Sequence, residues 1–467
     1  MNRRDFLKAS AASAVAAGAG FPVTAAVSRA GELRMPTGKK ARNIIFLVSD
    51  GMSSGTLSMA DQYLRWRDGR PSHWMQLYET GKVYRGLMET ASLNNIVTDS
   101  AAASSAWGGG HRVNNDSVNV GPNGEHYEPI LVSAKKAGKS AGVVTTATVT
   151  HATPAGFIAN IPGRWQEEDI AVQYLEREVD VMLGGGVRFF DAEHRSDDVD
   201  LIERAKQEGY AFVDTTEKMK AAAHNGKDKV LGLFTHQHVP YELDRLNDAD
   251  LKAKVPSLKE MTQSALHVLN RNSNGFVVQI EGARVDHAAH SNDVGGLIFD
   301  QIAFDDAVGA AMDFAESRDD TLVIVTTDHG NANPGLNSGW NGGHDRFSVL
   351  SQFRGTHSAI FRRLNEDSSL GKIWEVVGEV TKIGISRARA RLLHDALRGQ
   401  YDAPYHRFSN RNALLGQILA NETDIGWVGG QHTSDHVELA AFGPGSEGIK
   451  AFNKNTDLHG LMAGTWA

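Results

Sequence analysis

The stretch NIIFLVSD, residues 43–50, places five large apolar residues in a row and ends on a carboxylate. Alternating apolar and polar residues would mark a strand with one wet face. An unbroken apolar run marks a strand covered on both faces, as in a parallel sheet. Asp50 then falls at the carboxyl end of the strand, the edge where open α/β sheets bind their ligands. Similar runs recur at residues 140–146, 179–183, 229–234, 276–280, 322–326 and 437–442. Between them, residues 57–66, 129–137, 256–269 and 297–314 carry helical spacing, with Leu258, Met261, Ala265 and Val268 sharing one face. Strands alternating with helices predict an α/β fold: a three-layer α/β/α sandwich around a large, mostly parallel central sheet. Over residues 331–423 the pattern loosens, with helical stretches near 373–380 and 388–397. This segment is expected to be an insertion or cap within a catalytic domain spanning 31–467.

The 467 residues carry a net charge of −8 and no basic block, which argues against nucleic acid as a partner. Asn2-Arg3-Arg4-Asp5-Phe6-Leu7-Lys8 resembles the twin-arginine export signal, and an Ala-rich, mildly apolar run follows. Residues 1–30 are therefore set aside as a signal peptide with cleavage near Thr24-Ala25-Ala26. The twin-arginine export machinery carries folded proteins, which suits a domain that loads metal before export. The chain has no cysteine, hence no lipobox and no disulfide, so a soluble periplasmic or secreted product is expected. No later apolar run approaches the length of a membrane span.

Residues 95–110 read NIVTDSAAASSAWGGG. The small-residue run after Ser100 can open a helix, placing the serine where free backbone N–H groups and the dipole favour an anion. A serine there can act as a nucleophile towards phosphate if its pKa is lowered; an ordinary Asp or Ser helix cap has the same sequence. Gly184-Gly185-Gly186 closes a strand and reads as a tight turn in preference to a phosphate cradle. Three strand candidates end in an acid or an acid beside histidine: Asp50, Glu281, and Asp328 with His329. Asp286 and His290 are four apart, so one helical turn puts them on one face. That spacing suits zinc ligation and equally an exposed helical pair. Asp328 and His329 would point to opposite faces of a regular strand, and Gly330 is expected to let the chain turn so that both converge.

Eight motifs in order, SDGM, VTDSAAASSAWGGG, ATPAG with a downstream arginine, DVMLGGG, LGLF…PYELDR, EGARVDHAAHSND, TTDHGN and HTSDH…AAFGPG, resemble the metal-dependent alkaline phosphatase family. The resemblance covers roughly residues 42–337 and 426–445. It implies that Asp286, His290 and His432 hold one zinc ion, and that Asp50, Asp328 and His329 hold a second beside Ser100. It implies a third ion, usually Mg2+, on Asp50, Thr153 and Glu281, an oxygen set that fits a hard cation. Arg164 matches the arginine whose planar fork grips two phosphate oxygens. The implied reaction is attack of Ser100 on a phosphomonoester, a phosphoserine intermediate, and release of inorganic phosphate, with activity at alkaline pH. Homodimers are common in the family.

His151 and His287 occupy two positions near the third ion where members of the family differ. Imidazole favours transition metals over magnesium, so the identity of this ion is open; the preferred reading has both rings hydrogen-bonding to a water or a ligand of the ion. His344, His357 and His436 could each stand in for His432, which is chosen because Trp427 precedes it and Thr433 follows. Two other readings stand against the monoesterase: hydrolysis of a phosphodiester, sulfate ester or phosphonate on the same core, and a non-catalytic exported binding protein.

Overall fold

The structure is a computed structural model that describes residues 40–337 and 344–466, without the side chains of His344 and Asp345. The expected signal peptide lies outside the described residues. The strands are β1 (Asn43–Val48), β2 (Tyr84–Met88), β3 (Ser140–Thr148), β4 (Val181–Gly185), β5 (Ala211–Val213), β6 (Val230–Leu233) and β7 (Phe276–Glu281). They continue with β8 (Thr321–Thr326), β9 (Gly330–Asn331), β10 (Gly335–Leu336), β11 (Ile425–Gly426), β12 (His432–Thr433), β13 (Val437–Phe442) and β14 (Phe452–Asn453).

Ten of them form one sheet in the order β14-β2-β13-β8-β1-β7-β3-β4-β6-β5. β1 lies at its centre, parallel to β7 and β8, and β13 is antiparallel to both its neighbours. Side chains of β1 alternate between two cores: Ile44, Phe46 and Val48 face one, Ile45 and Leu47 the other. This is why the strand reads as a continuous apolar run. Phe46 packs against Trp107 and Phe157, with ring centroids 4.7 and 5.1 Å away. Truncating it to alanine would cost about 3–5 kcal/mol.

One core takes helices Ser54–Asp68, Leu258–Leu269 and Val294–Ala315; the other takes Ser100–Gly108, Ile130–Lys136 and Glu167–Glu176. The result is the expected α/β/α sandwich. Helix Leu258–Leu269 opens on a capping box between Ser257 and Glu260, which satisfies donors at its N-terminus reciprocally. In the segment 331–423, helices Leu370–Thr381, Arg387–Leu397 and Arg411–Thr423 send Ile373, Val377, Leu393 and Leu415 into the first of these cores. Gly184 and Gly185 belong to β4, and Gly186 turns the chain at φ 100°. A Cβ at Gly185 would meet the Gln237 carbonyl at 2.0 Å, so this glycine serves close backbone packing. Among the described residues no helix is long and apolar enough to cross a membrane.

Candidate active site

The carboxyl ends of β1, β7, β8 and the neighbouring β3 carry the expected residues to one edge of the sheet. Asp50 is fully buried two residues beyond β1. Gly51 follows at φ 68°, and a Cβ there would lie 2.4 Å from Asp286 Oδ1 and 2.9 Å from Asp286 Cα. Glycine is thus what lets the loop after β1 meet the helix after β7. Gly51 and His329 both donate backbone N–H groups to Asp328 Oδ1, at 2.9 and 3.0 Å. His329 Nε2 stands 2.9 Å from Asp328 Oδ2 and 3.7 Å from Asp50 Oδ1.

Gly330 works differently from the expected turn. It lies in β9, paired with Thr433 of β12, and a Cβ there would meet Thr433 Oγ1 at 2.5 Å. The missing side chain brings β12 close, and with it His432, which faces Asn331 in the register.

Asp286 and His290 share helix Arg284–His290, with His290 Nε2 3.3 Å from Asp286 Oδ2. His432 Nε2 joins them, 3.6 Å from Asp286 Oδ1 and 3.1 Å from His290 Nε2. His290 Nδ1 lies 2.9 Å from the Gly430 carbonyl oxygen, and His432 Nδ1 lies 2.9 Å from that of Thr98. A carbonyl only accepts, so each neutral ring carries its proton at Nδ1 and turns the Nε2 lone pair inward. The two Nε2 atoms converge at 3.1 Å, a gap that one shared cation, a proton on His290 or a metal ion, can fill. Of the alternatives to His432, His357 is bound to the Ser291 carbonyl and His436 packs on Phe452. His344's side chain lies outside the described residues.

Ser100 begins helix Ser100–Gly108, and the Asp99 carboxylate caps it by accepting from Ala102 N–H at 3.0 Å. The serine Oγ lies 3.4 Å from His329 Nε2. The other oxygen of Asp99 binds Arg164 Nη1 at 2.7 Å, in a pair whose side chains are 13% and 10% exposed. Arg164 Nη2 faces His151 Nε2 at 3.4 Å. The guanidinium is therefore held over the helix start. Sequence reading gave Asp99 only a capping role, because its second partner stands 65 residues away.

A third cluster lies beneath. Thr153 Oγ1 donates to Asp50 Oδ2 at 3.4 Å, and Thr145 Oγ1 donates to Glu281 Oε2 at 2.5 Å. Thr145 escaped the sequence reading, as an inward threonine on a buried strand carries no signal. His151 and His287 part company. His151 groups with Asp50 and Glu281, whereas His287 Nδ1 accepts from Arg284 Nη1 at 2.6 Å. His238, also unforeseen, packs against both, with ring centroids 5.7 Å from His151 and 4.7 Å from His287.

Among the described residues three sets of donor atoms lie close enough to share an ion, each within 4.8 Å: Asp286, His290 and His432; Asp50, Asp328 and His329; Asp50, His151 and Glu281. The electrostatics point the same way. Burial, with Asp328, Asp286 and Glu281 adding to it, pushes Asp50 well above the carboxylate range. Burial pushes Glu281 up to about 7. Burial also opposes ionisation of Asp286, but His290 and His432 outweigh it and hold the carboxyl well below its usual range. Asp286 in turn lifts His290 to about 9 against burial, while burial and His329 take His432 down to about 4. Asp50 Oδ1 and Glu281 Oε1 are buried without a hydrogen-bond partner. Buried carboxylates left this way are costly unless a cation meets them, so the donor set fits divalent metal ions.

A family model described as alkaline phosphatase matches residues 41–466. The chain belongs to the alkaline phosphatase family. It is an enzyme of that family, and a model of the twin-arginine translocation signal matches residues 1–20, which points to export. Among curated relatives, Alkaline phosphatase 4 of Bacillus subtilis is 30% identical over 90% of this chain and 88% of its own length. The Repressible alkaline phosphatase of Saccharomyces cerevisiae is 30% identical over 86% and 76%. The crystal structure of Thermus thermophilus alkaline phosphatase superposes with a TM-score of 0.85 at 33% identity, covering 95% of both chains. The fold and the family-wide metal dependence agree with a site built from convergent carboxylates and imidazoles.

Proposed function

We propose that this enzyme hydrolyses phosphomonoesters to an alcohol and inorganic phosphate through a phosphoserine at Ser100. Asp286, His290 and His432 would hold one zinc ion, and Asp50, Asp328 and His329 a second. Asp50, Thr153 and Glu281 would hold the third, magnesium in most of the family, with His151 at its edge and His287 kept outside by Arg284. When bound, a pair of such ions lowers the pKa of a coordinated hydroxyl or water and stabilises the attacking and leaving oxygens of an in-line displacement.

The chain's own residues do the rest. Ser100 Oγ attacks phosphorus and the ester oxygen leaves with the alcohol; water then attacks the phosphoserine from the opposite side and frees Ser100. Charge on the phosphoryl oxygens meets the N–H groups at the start of helix Ser100–Gly108 and the fork of Arg164. Asp99 and His151 fix that fork before substrate arrives, so little ordering is left for binding to supply. The observation that carries the reading is Ser100 Oγ at 3.4 Å from His329 Nε2, on a helix N-terminus beside a tethered Arg164. We further propose that the mature protein works in the periplasm or outside the cell after folded export.

The test is hydrolysis of a chromogenic phosphomonoester beside a phosphodiester and a sulfate ester, on metal-analysed protein across pH. Fast monoester turnover with about two zinc ions per chain, lost to chelator, is expected. Preference for the diester or the sulfate would move the enzyme to another branch of chemistry. Absence of turnover in protein carrying both zinc and added magnesium would leave a binding role.

A further inference from the structure

Arg164 is followed by an indole with no burial to account for it. Trp165 is 74% exposed, beside a charged clamp that is almost wholly enclosed. The exposure has a backbone cause. Gly163 C=O accepts from Gln166 N–H at 3.1 Å, which makes Arg164 and Trp165 the two central residues of a tight turn. Arg164 N–H is pinned in turn to the Asp116 carbonyl at 2.8 Å. The turn is thereby anchored, and helix Glu167–Glu176 starts directly after it. The indole therefore stands on a fixed support.

One face of that indole is taken. The Arg164 guanidinium carbon lies 5.2 Å from the ring centroid, a cation–π contact. The ring covers the guanidinium, and the guanidinium hydrogen-bonds to Asp99, so a chain of contacts leads from solvent to the start of the Ser100 helix. The site's other exposed apolar side chains sit on segments that also carry its working parts. Ile96 precedes Asp99, and Val428 precedes Gly430, whose carbonyl orients His290. Both offer aliphatic surface; Trp165 alone among these three offers a π-face.

We propose that Trp165 determines substrate preference by stacking the planar base of nucleoside monophosphates whose phosphoryl group is held by Arg164. The geometry favours a base on a sugar spacer over a ring esterified directly to phosphate. The guanidinium carbon lies 5.2 Å from the ring centroid on one face, and a base on the open face sits a further roughly 3.5 Å beyond the ring. A sugar spans that reach, and a single ester oxygen does not. Every base has a π-face, so the platform tolerates all of them and discriminates against phosphates with no base. The inference rests on the phosphomonoesterase reading above.

The experiment compares metal-loaded wild type with Trp165→Ala and Trp165→Phe on adenosine 5′-monophosphate and ribose 5-phosphate, which share the sugar and differ in the base. Wild type is expected to favour the nucleotide. Trp165→Ala is expected to lower the nucleotide-to-sugar ratio of kcat/KM about five- to tenfold, chiefly through KM for the nucleotide. Trp165→Phe, which keeps a stacking face, should restore most of the ratio. An unchanged ratio in Trp165→Ala overturns the platform, as does an equal loss on both substrates, which would make the indole a prop for Arg164. Failure of the wild type to hydrolyse either compound would instead overturn the phosphomonoesterase reading.

Discussion

Gly51→Ala is the substitution that most sharply tests how this site is assembled. Two costs fall on it, and the protein contains a control that separates them. Gly51 and Gly69 share nearly the same positive φ, 68° and 69°. An alanine at either pays for a left-handed conformation, about 1–2 kcal/mol. At Gly69, just past helix Ser54–Asp68, an added Cβ meets nothing within 4 Å. At Gly51 it meets Asp286 at 2.4 Å from Oδ1, 2.8 Å from Cβ and 2.9 Å from Cα. The carboxylate could rotate away, but the Cα belongs to helix Arg284–His290 and cannot. Restoring ordinary contact needs a shift of several tenths of an ångström to about 1 Å, and overpacking of this kind adds about 1–3 kcal/mol. Urea unfolding of metal-loaded protein should show Gly51→Ala destabilised by about 2–5 kcal/mol and Gly69→Ala by about 1–2 kcal/mol. Because Asp286 and His290 move with that helix, kcat/KM for a monoester should drop on the order of 100-fold in Gly51→Ala and stay near wild type in Gly69→Ala. Equal destabilisation of the two variants, with kinetics intact in both, would refute the close-approach argument.

Ser100→Ala should abolish trapping of a phosphorylated serine while metal content stays near normal; ordinary turnover in that variant would remove Ser100 from the reaction. Arg164→Ala should weaken inhibition by inorganic phosphate by about 2 kcal/mol, roughly 30-fold, since the lost hydrogen bonds are charge-assisted. An unchanged inhibition constant would contradict the role given to the fork. His432→Ala should lose close to one metal ion per chain by elemental analysis and more rate than Arg164→Ala, because it removes the donor opposite His290. Full metal content in that variant would show that His290 and Asp286 suffice.

Much of this was legible in the residues. The sheet's central strands are apolar runs because both faces are covered, and a strand of that kind announces itself. The strands towards the ends of the sheet do not. In β2 the residues Tyr84 to Met88 alternate in exposure and include Arg85 and Gly86, so the strand exists through its pairing with β13 and β14. Helix Glu167–Glu176 was missed although its signal is present: three acids in the first turn, then Ile170, Ala171, Tyr174 and Leu175 on one face. Asp50, Glu281, Asp286, His290, Asp328 and His329 could be singled out from local order, because each stands at the end of a strand or on one helical turn, whereas His432, Thr153 and Arg164 were named only by the resemblance to the family. What local order could not supply was mutual bonding between distant segments. The Asp99–Arg164 pair, the Thr145 hydroxyl on Glu281 and the tie from Thr98 to His432 all join residues that only the folded sheet brings together. The role first given to Gly330 erred for the same reason: its need for no side chain comes from Thr433, which approaches from another strand.

The two-residue ribbon of β9 and β12 also sets the order in which the site can come into being. It pairs Asn331 with His432 and Gly330 with Thr433, and Asn333 just beyond β9 is hydrogen-bonded to Thr433, 100 residues away. A chain emerging from the ribosome holds Asp50, Ser100, Glu281, Asp286, His290, Asp328 and His329 well before His432 exists. Closing that loop costs chain entropy that only the packing of the intervening helices offsets. Completion of the last imidazole pair therefore reports that nearly the whole domain has folded, and an ion locked between His290 and His432 would act as a seal on a finished molecule.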